Sequence, residues 1–382
     1  MLLTFVVAAA LSGAGAGGPR LPYRKVADSL DVVLYARILK SADQRALDSA
    51  LIATALVSPD AEIRRVGART LSQVALRHRR RALPMLRALT GDADSVVAST
   101  ALFGLGLVRD TASISRIAAV VRADGPDAAA ASWALGEIGR PATDTITQLL
   151  GTVRGSDRYS VATSRELIIA ASKIRPLDVA AVKPYLTSTD ADLRWAAAYA
   201  VARQRAPSGV SALLDARTPD AKFRAELARV LTRATVGDSL RDRALARLRS
   251  LVADPDPYVR ISALHSIGTF GATARSPILL ALHDHDANVR VAAAQSSATA
   301  FDTVATAWRD AWKADTAYKV RRSLLEAAAT RGVTLAGDAE WRASSDWRLR
   351  SAAVGAWSGE VDPTRARTVE LEATRDVVLA MV

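Results

Sequence analysis

The chain has no cysteine. That excludes disulfides, thiolate nucleophiles, cysteine-based zinc sites and a lipoprotein anchor, which needs a cysteine to carry its lipid. Aromatic residues are scarce, at 5%. Glycine (21) and proline (14) are too few for a collagen-like or low-complexity chain. Lysine is rare: of 51 basic residues only 7 are Lys and 44 are Arg. No Ser lies in a G-x-S-x-G elbow, and no Walker A or G-x-G-x-x-G loop opens a strand–helix unit. No alternating apolar pattern of useful length occurs, so strands are not expected.

What is plentiful is alanine, with 78 of 382 positions, within a chain that is 50% hydrophobic. That is too apolar for charge-driven disorder and ample for a buried core. The formal net charge is +12. A basic surface can draw an acidic partner, nucleic acid or an anionic membrane. The charge is not gathered into one tail, which favours an ordinary solvated arginine-rich surface. Two local excesses stand out, Arg77 to Arg81 and Lys222 to Arg249.

Leu2 to Leu11 is an apolar run, followed by small residues from Ser12 to Gly18. Ala14-Gly15-Ala16 fits a small-x-small cleavage site, so residues 1–18 read as a secretory signal peptide. The run is too short to span a bilayer. The implied location is the periplasm or cell envelope; without cleavage the chain is cytoplasmic. Residues 21–57 supply amphipathic helices that cap or begin a stack of helices.

From residue 58 the sequence repeats. The clearest unit is Asp256-Pro257-Tyr258-Val259-Arg260, followed by Ala263, Leu264 and Ile267. The frame returns at Asp60, Asp94, Asp127, Asp190, Asp220, Asp286 and Asp346, with weaker copies near Thr163 and Ala317. Asp60 to Asp346 spans nine steps of about 32 residues each. The Asp is an N-cap, accepting free N–H groups of the first turn. Pro257 comes next at the first helical position, where its missing N–H is harmless. Thr163-Ser164-Arg165-Glu166 offers a capping box in a weak copy. Apolar residues at offsets 3, 7, 8 and 11 from the Asp form one helix face. Arg at offset 4 is placed to pair with the cap carboxylate. Small residues at offset 7 allow close helix approach, and Gly106, Gly139 and Gly268 are expected to end their helices at positive φ. Each copy is followed by a shorter amphipathic stretch, such as Pro207 to Leu214 or Ser239 to Val252. Pro84 and Pro184 fit first turns.

A two-helix unit of this size cannot bury its apolar face alone, so the units must stack. The D-x-x-V-R-x-x-A-L-x-x-I-G helix at about 32-residue spacing resembles bacterial HEAT repeats of the short, phycobilin-lyase-like type. The resemblance implies an all-α, right-handed α-solenoid of about ten two-helix repeats over residues 58–382, the last incomplete.

Function is far less legible, because a fold does not fix an activity. His283-Asp284-His285-Asp286 is the one histidine cluster, and Asp286 is already committed as a cap. No metal, cofactor or catalytic constellation is assigned. Trp308 and Trp312 read as core, whereas Trp347, first after a cap, reads as a partly exposed contact residue. Arg229, Arg233, Arg243 and Arg247 form a candidate electropositive strip toward the second helices. The leading expectation is a non-catalytic scaffold binding another protein, with an acidic partner surface as the candidate for these arginines. The alternatives are the solenoid arm of a larger enzyme, such as a cyclophilin-type prolyl isomerase, and a HEAT-like nucleic-acid-binding protein. The first rests on a last copy beginning near Thr374 and ending at Val382.

Overall fold

The structure, a computed structural model, describes residues 29–151, 160–216, 218–300, 304–333, 335 and 344–348. The signal-peptide reading and the copy beyond Arg348 lie outside these residues. Among the described residues there is no strand. The chain divides after Asp110 into two compact units, although the repeat frame runs through that point unchanged.

The first unit holds α1 (Ser29–Asp43), α2 (Ser49–Leu56), α3 (Ala61–Val74), α4 (Arg79–Leu89) and α5 (Ser95–Leu107). The second opens with α6 (Ile114–Ala123), α7 (Ala128–Ile138), α8 (Thr143–Gly151), α9 (Val161–Ser172) and α10 (Val179–Val182). It continues with α11 (Ala191–Gln204), α12 (Pro207–Asp215), α13 (Ala221–Val230), α14 (Arg233–Val236), α15 (Arg241–Val252) and α16 (Pro257–Gly268). Then come α17 (Arg275–Ala281), α18 (Ala287–Ala300), α19 (Ala305–Ala314) and α20 (Tyr318–Thr330). The cap-bearing helices α3, α5, α7, α9, α11, α13, α16, α18 and α20 are the first helices of their repeats. Within each unit successive first helices pack side by side, more closely than the second helices do. This is an α-solenoid of two-helix repeats.

The frame predicts the core. Val97, Ala101, Leu102 and Leu105 of α5 are all buried, as are Val259, Ala263, Leu264 and Ile267 of α16. So are Thr163, Leu167, Ile168 and Ala171 of α9, so the weak copy keeps the geometry. Each fully buried Leu or Ile is worth about 1.5–3 kcal/mol of transfer free energy. The tightest approach of a glycine to another helix's backbone lies at another offset. A Cβ on Gly136 would stand 2.8 Å from Ala170 Cα of the next first helix. Gly67, at offset 7, is likewise pressed on Ala55.

The caps behave as the sequence predicts at Asp60, Asp94, Asp190 and Asp256, whose carboxylates accept N–H groups of their first turns. Asp286 and Asp346 do the same. Asp127 and Asp220 make no such bond. The capping box is displaced: the cap of α9 is Ser160, whose hydroxyl accepts the Thr163 N–H. Of the three closing glycines only Gly139 has positive φ (78°); Gly106 and Gly268 stay helical and buried. Arg109 (φ 51°) and Gly271 (φ 66°) supply the left-handed turns instead. Pro84 stands sixth in α4 rather than in its first turn.

The arginine at offset 4 does not pair with its own cap. Cap carboxylates accept backbone N–H groups, Asp94 also taking the Arg65 guanidinium of the preceding repeat at 3.0 and 2.7 Å, and the long offset-4 side chain reaches the next repeat instead. Arg64 forks onto Asp92 at 2.9 and 3.0 Å, Arg260 onto Asp284 at 2.9 and 2.8 Å, and Arg290 onto Asp315. Each also donates to carbonyls of its own loop, as Arg260 does to Asp254 O and Pro255 O. The receiving Asp sits two residues before the next cap and accepts that residue's N–H: Asp92 from Asp94, Asp254 from Asp256, Asp284 from Asp286, Asp315 from Ala317. One side chain therefore clamps the next repeat and turns the chain into its helix. Bidentate, partly buried Arg–carboxylate pairs of this kind are the strong class of ion pair. Three successive copies carry Ala98, Ala131 and Ser164 at this offset instead. In the last of these, neutral donors take over at the preceding junction. Asp124 (φ 49°) accepts the Ser160 N–H and the Thr163 hydroxyl, both at 2.7 Å.

Candidate interaction surface

The clamps have an electrostatic signature. Burial pushes the Asp254 carboxyl up, but the Arg224 fork and the Asp256 N–H outweigh it and hold it below the usual carboxylate range. Asp92 and Asp315 show the same balance with Arg64 and Arg290. Arg194 alone dominates at Asp220, again downward. The junction edge of the repeats is thus internally neutralised.

The opposite side of each first helix is exposed chiefly at offsets 2, 9 and 13, whereas offset 5 is half-buried or buried and offset 6 is buried in most repeats, as at Ala196, Ser262 and Ala292. At 100° per residue, offsets 2, 5, 6, 9 and 13 lie opposite the buried 3, 7, 8 and 11. In the second unit those positions carry aromatic and cationic side chains in contact. On α11, Trp195 and Tyr199 stack with centroids 5.6 Å apart, and Arg203 lies 5.5 Å from the Tyr199 ring. On α13, Arg229 donates to Tyr258 Oη of α16 at 2.6 Å and lies 5.7 Å from its ring. Arg229 also grips the buried Glu226 carboxylate at 2.9 and 3.0 Å. Tyr258 is 56% exposed. Lys173 of the α9 end lies 5.4 Å from the Trp133 ring of α7 and bonds Glu137.

The five sequence-predicted contact residues fall in three places. Arg229 and Arg233 belong to the first-helix side, Arg233 being exposed with its backbone N–H on Thr269 Oγ1. Arg243 and Arg247 lie on α15: Arg243 pairs with Asp215 at 2.6 Å, and Arg247 adds to the field that lowers Asp254. The four arginines therefore do not form one strip. Trp347 is 39% exposed and stands 5.6 Å from the Arg348 guanidinium, which also faces Tyr318 at 5.2 Å. Trp308 and Trp312 are core, with Trp308 Nε1 donating to the buried Ser297 hydroxyl at 2.8 Å. The sequence reading missed Trp133, Trp195, Tyr199 and Tyr258. Their spacing from the caps was the available signal.

In the histidine cluster, Asp284 is taken by Arg260 and Asp286 by the α18 cap, and His285 stands 3.4 Å from Asp284. Among the described residues no three His, Asp or Glu side chains are grouped to hold a metal. No helix among them is long and apolar enough to cross a membrane.

Residues 210–298 match the family model for HEAT repeats. No curated protein matches the chain. An engineered protein is 18% identical, over 87% of this chain and 98% of its own, with a TM-score of 0.45. YibA of Escherichia coli is 14% identical, over 82% and 100%, with a TM-score of 0.46. A chain in a homology model of the full-length AP-3 complex in an intermediate open conformation is 13% identical, over 91% and 76%, at 0.53. That last likeness is one of fold. Residues 210–298 are thus HEAT-repeat sequence, and the same cap-and-core frame continues on both sides of them in an α-solenoid of two-helix repeats.

Proposed function

We propose that the chain is a non-catalytic scaffold that binds another protein through the open side of the first helices in its second unit. The observation that carries this is a pair of aromatic–cation groups on neighbouring first helices, Trp195, Tyr199 and Arg203 on α11, and Arg229 of α13 with Tyr258 of α16. Trp, Tyr and Arg are the residues that dominate binding energy at protein interfaces. Here the rings are held by neighbouring cations, so little side-chain freedom is left to lose on binding. The excess of arginine favours a partner with an acidic surface. In this reading the apolar run Leu2 to Leu11 directs export to the cell envelope, which N-terminal sequencing of the mature protein checks.

The test is partner capture from native envelope extract by the full chain, beside a Trp195→Ala, Tyr258→Ala variant of matched helicity. A protein enriched by the natural chain and lost from the variant supports the reading. No such protein, or equal capture by both, overturns it.

A further inference from the structure

The position at offset 13 from the cap, where each first helix turns into its second, is basic in four successive repeats: Arg140, Lys173, Arg203 and Arg233. All four are exposed. Neighbouring repeats touch along this edge, so the positions form a continuous row. Lys173 Nζ reaches back to Glu137 at 2.5 Å. Arg175 Nη2 reaches forward to the Arg203 carbonyl at 3.3 Å, and Gln204 joins Ile174 O and the Leu177 N–H. The Arg233 N–H bonds Thr269, which holds the same offset in its own repeat. Arg175 and Arg205 flank the row. Glu137, beside it, is taken by Lys173, and Asp144 stands in the first turn of α8. Where a repeat carries the offset-4 arginine its junction edge is neutralised by an ion pair, whereas on this turn edge only Lys173 has a carboxylate partner and Arg140, Arg203 and Arg233 carry the positive charge.

We infer that this row binds an extended acidic segment of a protein partner, its carboxylates set at every third residue. The inference rests on the scaffold reading and names the partner's chemistry. Packed helices lie about 8–10 Å apart. An extended chain advances about 3.3 Å per residue, so three residues carry it from one cation to the next. A single nucleic-acid strand fits less well. Strand binding relies on open aromatic faces for base stacking. The Trp133 ring already carries Lys173 and the Tyr199 ring Arg203, with the Glu137 carboxylate beside them. Part of the row also serves the fold, because cations at helix C-termini offset the helix dipole.

The test uses the full chain at low salt and a fluorescent synthetic peptide with one Asp for each cation, placed at every third position among Gly and Ser. An isomer with the Asp residues adjacent and a single-stranded DNA of equal charge are the comparisons. The spaced peptide should bind at least about tenfold tighter than its isomer, a gap outside ordinary non-specific attraction. The Arg140→Gln, Arg203→Gln, Arg233→Gln variant should lose that preference, and the matching Arg→Lys variant should keep it. The Arg140 and Arg233 side chains make no bond that the fold needs, and Arg203 touches the half-buried Tyr199 side chain of its own helix, so the Gln variant should retain its helicity. Equal binding of the two peptides, tighter binding of the DNA, an unchanged Gln variant, or no binding at all each overturns the inference. If a partner is captured through Trp195 and Tyr258 while the probes fail, only the row is refuted; the reverse pattern refutes the scaffold surface alone.

Discussion

Arg224 and Asp254 face each other across a repeat junction through two parallel hydrogen bonds, Nε to Oδ2 at 2.6 Å and Nη2 to Oδ1 at 2.9 Å. The pair is largely out of water, with side-chain exposures of 14% and 6%. Arg243 and Asp215 make an equally short contact at 2.6 Å but are 51% and 64% exposed. The shortest distance is the same, but one pair is a buried fork and the other a single exposed contact.

Removing one member of a buried pair leaves an uncompensated charge, whereas water replaces a lost surface partner. Arg224→Ala is expected to destabilise by about 3 kcal/mol. Arg243→Ala should cost less than about 1 kcal/mol. Urea titration of each variant checks the order. Equal losses would show that the junction pairs do not act as clamps.

Acid should release the clamps together. Asp92, Asp94, Asp220, Asp254 and Asp315 are all held below the usual carboxylate range. A carboxyl lowered by folding adds stability that is fully present above its unfolded value, about 3.9, and is lost as pH falls through its folded value. The urea midpoint should therefore be level from about pH 7 to about pH 5 and fall steeply below about pH 4. Asp254→Asn should make that fall shallower, because one proton fewer is taken up on unfolding.

Gly136 gives a packing test. Ala is the better helix former by about 1 kcal/mol. Its methyl would meet Ala170 Cα at 2.8 Å and Cβ at 2.9 Å, backbone that cannot swing aside. Overpacking of this kind costs about 1–3 kcal/mol, so Gly136→Ala should lower the melting temperature. Gly91 sits in a turn, and a methyl added there would meet nothing within 4 Å. There Gly→Ala should be neutral, or stabilise by about 0.5 kcal/mol through the unfolded chain.

These contrasts show what the sequence made legible. Apolar residues at offsets 3, 7, 8 and 11 predicted buried side chains even in the α9 copy, because helical periodicity is a local property. The partner of Arg260 was not legible in the same way. Offset arithmetic places it near Asp256, yet it reaches Asp284, 24 residues on. That choice depends on how neighbouring repeats stack, which brings Asp284 within reach of the guanidinium. The Asp-x-Asp spacing at 92–94, 254–256 and 284–286 was the visible trace of two jobs needing two carboxylates. The open side of the first helices was hidden for another reason. Trp133, Trp195 and Tyr258 lie far apart in sequence, and only the helical phase shared by the repeats sets Trp133 and Tyr258 beside a cation of a neighbouring repeat and Trp195 against Tyr199 one turn on.

The junction before α13 lacks the second carboxylate, and its cap is lost as a result. Thr218 stands where most other repeats carry Asp or Ser, and its hydroxyl accepts the Asp220 N–H at 3.2 Å. Asp220 must then receive Arg194 Nε itself, and it makes no side-chain cap to α13. Thr218→Asp restores the Asp-x-Asp arrangement. The new carboxylate can take Arg194 and the Asp220 N–H, freeing Asp220 to accept the first-turn N–H groups of α13. A regained cap is worth about 1 kcal/mol. The substitution should leave the urea midpoint unchanged or raise it, with slower hydrogen exchange in the first turn of α13. A clear loss of stability would mean that the two carboxylates repel each other more than Arg194 and the helix end can offset.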